Sequence, residues 1–109
     1  MNESTIILTK AKNRISNPNA WMKGAYSNQM DDTYPTCWCS FGAVDSVAAD
    51  LKSDYATNRN VLTLLIQSIP DGHIRNVINY NDDPETTHTD VMEMFDRAIE
   101  LSEDQTLDA

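Results

Sequence analysis

Twice in this chain, apolar residues recur at positions i, i+3, i+4 and i+7: Leu62, Leu65, Ile66 and Ile69, and then Val91, Met94, Phe95 and Ala98. That period places four apolar side chains on one face of an α-helix and cannot be satisfied by a strand, where alternate residues share a face. Two weaker stretches read the same way. Ile7, Ala11 and Ile15 repeat every four residues with Lys10, Lys12 and Arg14 around them, which predicts a helix from Ser4, as cap, to Ser16. Phe41, Val44, Ala48 and Leu51 step by three, four and three, which predicts a second helix whose cap is Thr36 and whose first turn holds Cys37 and Cys39. The chain therefore reads as all-α: a compact bundle of about four main helices, with a short helical turn over residues 73–80 and a minor strand pair near Trp21 and Tyr34 as the one departure.

Punctuation between these stretches is polar. Asn17-Pro18-Asn19 stops the first helix, because proline lacks an amide and pushes the residue before it out of the helical region. Asn58 or Asn60 is the expected cap of the third helix, Pro70-Asp71-Gly72 ends it, and Asn81-Asp82-Asp83-Pro84 reads as a turn. Thr87-His88-Thr89-Asp90 is a capping box with Asp in the acidic position, opening the last helix. Residues 1–102 are expected to form a single globular domain, and 103–109 a frayed acidic tail. A chain of 109 residues can bury about two-thirds of its unfolded surface and needs no disulfide to fold. No apolar run nears the roughly 20 residues of a membrane span, and Met1-Asn2-Glu3-Ser4 does not open like a secretory signal, so a soluble protein of the host cytoplasm is expected.

Charge is distributed unevenly. The formal charge of −9 falls entirely after residue 81, where ten acids face Arg97 alone, while the preceding segment carries seven acids and seven bases. Direct nucleic-acid binding needs clustered Lys and Arg and is not expected; a basic protein or ribonucleoprotein is the natural complement. The side chains that would meet it are Asp83, Glu85, Asp90, Glu93, Asp96 and Glu100, with Met92, Met94 and, where exposed, Trp21 or Trp38 as apolar anchors. The plain alternative is a solvated face that only keeps the protein in solution.

Chemistry-bearing residues are few. Cys37 and Cys39 can be a metal half-site, a redox pair or small apolar side chains, and the only imidazoles, His73 and His88, lack metal-ligand spacing to them. A cysteine nucleophile would be Cys39 with His73 as base. Asn81-Asp82-Asp83 resembles the opening of a calcium loop, but Thr86 stands where glycine belongs and Met92 where the closing glutamate belongs, so it reads as an Asx turn. No metal and no cofactor is expected. Gly42, inside a helix, costs about 1 kcal/mol against alanine and implies close approach of another element, most simply the helix of Ile7 and Ala11.

Four motifs then stand in order: Trp21-Met22-Lys23-Gly24, Cys37-Trp38-Cys39-Ser40-Phe41-Gly42-Ala43, Tyr80-Asn81-Asp82 and Thr87-His88-Thr89-Asp90-Val91. This order resembles a family of small phage and bacterial proteins of unknown function, with the pattern Trp-x-x-Gly, Cys-x-Cys-x-x-Gly-Ala, Trp-Asn-Asp and Thr-x-x-Asp/Glu-Val. Tyr80 stands where that pattern has tryptophan. The resemblance implies a phage or mobile-element origin and supplies no mechanism. Together these readings lead to the expectation of a phage-encoded, non-enzymatic protein that inhibits a host nucleic-acid-handling or defence complex through its acidic last helix, as an anti-CRISPR protein would. A small cysteine-dependent enzyme using Cys39 and His73, or a structural phage protein, a homodimer included, are the alternatives.

Overall fold

Asn2 starts the fold. Its Oδ1 accepts from the Thr5 amide at 2.8 Å, while its Nδ2 donates to the Ser102 carbonyl at 2.9 Å, so one side chain caps the first helix and ties it to the last. The computed structural model describes residues 2–30, 34–70 and 76–107, and in it the helices are α1 (Glu3–Arg14), α2 (Ser40–Leu51), α3 (Tyr55–Gln67), α4 (Val77–Asp82) and α5 (His88–Leu107). No strand forms among the described residues; the expected strand pair is reduced to two isolated bridges, Trp21 with Trp38 and Ser27 with Trp38. The bundle is all-α, as the periodicity requires.

α1 is the central element, packed against α2, α3 and α5. Ile7, Leu8 and Ala11 are buried along it and Ile15 at its C-cap, and they meet Val91, Met94, Phe95 and Ala98 of α5 and Val61, Leu64 and Leu65 of α3 in one continuous core. Burial of these side chains, at about 25 cal/mol per Å² of apolar surface, is the main force holding the bundle.

Several local expectations are corrected. Ser4 is no cap: it is buried inside the first turn of α1, where its Oγ accepts from Asn60 Nδ2 at 2.8 Å. With Asn60 so engaged and Asn58 bonded to Ser53, the cap of α3 is Asp54, whose carboxylate accepts from the Thr57 amide at 2.8 Å. That bond holds the Asp54 carboxyl below its ordinary value. The buried face of α2 is Ala43, Val44, Val47 and Ala48, with Phe41 half-buried and Leu51 exposed, because Phe41 turns outward to stack on Tyr26 at 5.0 Å between ring centroids. α3 is likewise turned, with Leu62 and Ile66 half-buried and Val61 and Leu64 inside. α4, capped by Asn76, carries Asn81 and Asp82 in its last turn rather than in a loop; residues 71–75, with His73, lie outside the described residues. α5 does not end at Ser102. It runs to Leu107, with Gln105 accepting from Asn60 Nδ2 at 2.9 Å, so the stretch expected to fray from residue 103 is helical that far.

Candidate functional site

Residues of three of the four motifs meet at one buried side chain, Asn81. Asn81 is fully buried at the end of α4, and its Oδ1 accepts three hydrogen bonds: from Trp21 Nε1 at 2.6 Å, from the Ser40 amide at 3.0 Å and from Ser40 Oγ at 2.7 Å. Its Nδ2 donates to the Met22 carbonyl and to Asp82 Oδ1, each at 3.0 Å. Asp82 Oδ1 also accepts from the Gly24 amide at 3.0 Å, and Gly24 has φ of +89°, a left-handed conformation that suits glycine. Trp-x-x-Gly and Tyr-Asn-Asp are therefore two halves of one clasp, and the start of α2 is its third member. Asn81 and Asp82 do accept backbone amides, as an Asx reading expects, but across long sequence separations and from within a helix.

The Cys-x-Cys segment supplies the backbone of that third member. The Trp38 amide donates to Ala20 O and its carbonyl accepts from the Met22 amide; the Asn28 amide bonds Cys37 O and the Cys39 amide bonds Tyr26 O. Held this way, Cys39 is extended and is itself the cap of α2, its Sγ accepting from the Gly42 amide at 3.3 Å. Thr36 is displaced from that role: its amide and that of Cys37 both donate to Asn28 Oδ1. Cys37 lies outside the helix, half-buried, with its thiol donating to Asn19 O at 3.0 Å. Gly42 meets the loop and not α1, for a Cβ placed there would lie 2.0 Å from the Tyr26 carbonyl oxygen.

This geometry argues against Cys39 as a nucleophile. The side chain is 2% exposed, and burial pushes its thiol above the ordinary value, so the neutral form dominates at physiological pH. Alkylation by iodoacetamide near neutral pH is expected to label Cys37 first, with Cys39 at least about tenfold slower until the fold opens; mass spectrometry of the two sites reads the order directly. Tyr80 is buried in α4, with its hydroxyl pushed up by desolvation, and serves the core as the aromatic of its motif.

Around Trp21 sit Lys23, its Nζ 5.5 Å from the ring and donating to Asp83 O, and His88, 5.8 Å between centroids and bonded through Nε2 to Ile15 O at 2.8 Å. The fourth motif forms the expected capping box: Thr87 Oγ1 accepts from the Asp90 amide at 3.1 Å and the Asp90 carboxylate from the Thr87 amide at 3.0 Å.

The six acids expected at a partner surface divide. Glu93, Asp96 and Glu100 stand exposed on the side of α5 opposite its buried residues, and Glu85 is exposed in the preceding turn. Asp90 is half-buried and committed to the cap, and Asp83 is half-buried with Oδ1 accepting from the Glu85 amide. Asp96 pairs with Lys12 at 2.5 Å. Arg97, the one base of this region, turns aside to donate twice to Ser68 O at the end of α3, at 2.9 and 2.7 Å. Glu103 and Asp104 were placed in the tail by sequence; because α5 continues, they prolong the exposed acidic row, and the helical steps from Glu93 to Glu100 and on to Glu103 and Asp104 were the signal for it. Met94 and Trp38 are buried and serve as core, not as surface anchors; Met92 is half-buried.

Residues 1–101 match the model of a family of unknown function, DUF6197, and the chain belongs to that family. No curated protein and no solved structure matches the chain.

Proposed function

We propose that this DUF6197 chain is a non-enzymatic binding protein that presents the outer face of α5 to a basic surface, and that it acts as a phage-encoded inhibitor of a host nucleic-acid-handling or defence complex in the manner of an anti-CRISPR protein. One observation carries the reading. Glu93, Asp96, Glu100, Glu103 and Asp104 line the solvent side of a 20-residue helix, about 30 Å long at 1.5 Å per residue, while Arg97 is drawn off to Ser68. A row of carboxylates at that spacing offers a basic groove the charge pattern that nucleic acid would offer it, and it steers encounter at long range. The clasp supports the same division of labour: Trp21, Ser40, Asn81 and Asp82 hold the loop, α2 and α4 together, and Cys39 is buried beside them.

Affinity capture with the tagged chain from lysate of its host tests the reading. The expected result is a basic protein or ribonucleoprotein that is retained at low salt, released as salt rises, and displaced by added DNA or RNA. Capture that neither salt nor nucleic acid disturbs would overturn it.

A further inference from the structure

A cleft of about 220 Å³ opens between the segment around Tyr26 and the first turns of α2, lined among others by Tyr26, Pro35, Trp38 and Asp45. Aromatic side chains crowd this place yet stay in contact with water: Tyr26 is 52% and Tyr34 70% exposed. Both are held by other rings, Tyr26 by Phe41 at 5.0 Å and Tyr34 edge-on by Trp38 at 6.4 Å. Tyrosines fixed before a ligand arrives give contact area at little ordering cost. Asp45 is exposed on α2, and neither ion pair among the described residues involves it.

The chain already shows what such a combination takes. On the Trp38 ring the guanidinium of Arg14 stands 5.5 Å from the centroid, donates to Ser46 Oγ at 2.7 Å and pairs with Asp50 at 3.2 Å. A planar guanidinium stacks on a ring and bonds a carboxylate at its edge at once, which the compact ammonium of lysine does not do. Tyr26 and Asp45 offer the same two elements, with no guanidinium of this chain upon them among the described residues.

We propose that this cleft binds an arginine side chain presented by a basic segment of a partner protein, the guanidinium stacked on Tyr26 and paired with Asp45. The site belongs to α2 and the segment before it, so it stands apart from the acidic face of α5, and the negative net charge of the chain favours the approach of such a segment to either.

Titration of the isotope-labelled protein with a blocked Gly-Arg-Gly peptide, and separately with Gly-Lys-Gly, tests this by amide chemical shifts. The arginine peptide is expected to give saturable shifts at Gly42, Asp45 and Ser46 and at the Trp38 indole, with the lysine peptide at least about threefold weaker. Tyr26→Ala and Asp45→Asn, each checked for retained helicity, are each expected to weaken binding by roughly three- to tenfold. Equal binding of the two peptides, or no shift at these positions, would overturn the proposal. Shifts confined to the amides of α5 would also overturn it, while leaving the reading of that helix in place.

Discussion

Replacing Asn81 by alanine is expected to cost this protein roughly 4 kcal/mol or more and to lower its melting temperature by about 15 °C or more. The reason is the number of groups left behind. Trp21 Nε1, the Ser40 amide, Ser40 Oγ and the Met22 carbonyl all lose a partner at once, and Asn81 itself is fully buried, so water cannot replace the bonds without opening the core. Each buried polar group left unsatisfied costs about 1–3 kcal/mol, against a total stability of about 5–15 kcal/mol for a domain of this kind. Thermal or urea unfolding followed by circular dichroism measures it. A loss below about 1 kcal/mol, the size of an ordinary surface change, would show that the clasp does not hold the fold.

Gly42→Ala is the second large effect. Alanine is the better helix former by about 1 kcal/mol, so propensity alone predicts a more stable protein. The opposite is expected, because the new methyl would lie 2.0 Å from the Tyr26 carbonyl oxygen and 2.8 Å from its carbon, both backbone atoms. To make room, the loop must retreat and loosen the bond from the Cys39 amide to Tyr26 O, at 3.0 Å, which helps hold the α2 cap extended. A net loss of about 2–3 kcal/mol follows from overpacking of this kind. Amide shifts over residues 26–28 and 37–42 would report the displaced loop, and a raised melting temperature would refute the contact.

Why sequence reading reached the helices but not the clasp is a matter of which interactions are local. The faces of α1 and α5, and the box at Thr87 and Asp90, depend on neighbours three and four residues apart, and these were legible. Caps were harder. Near the start of α3 three polar residues, Asp54, Asn58 and Asn60, are all capable of capping, and the choice fell to Asp54 because Asn60 is drawn to Ser4 and Gln105 on two other helices. Asn81 has the same character: nothing local distinguishes a buried asparagine with five partners from one in an exposed turn. Beyond Ser102 the lack of an apolar face suggested fraying, yet adding residues to a helix already formed is far easier than starting one, and Gln105 finds Asn60 across the gap.

For the candidate site the outcome is mixed in an instructive way. The acidic side chains were legible from charge alone, but which of them face outward was not: Asp90 is turned into the cap, and Glu103 and Asp104 join the row only because the helix continues. The cysteines drew notice as chemistry and proved to be backbone organisers, Cys39 through its thiol at the head of α2 and Cys37 through a bond to Asn19. The first three motifs thus lie where the loop, α2 and α4 are joined, and the surface proposed for a partner lies on the outer face of α5, away from that clasp.

The most direct test of that separation is the salt dependence of partner affinity for the variant Glu93→Gln, Asp96→Asn, Glu100→Gln, which leaves the capping Asp90 and the whole clasp intact. The predicted result is an unchanged or slightly altered melting temperature together with at least about a tenfold loss of affinity at low salt and a flattened salt dependence. Affinity and salt dependence equal to those of the unmodified chain would contradict the account.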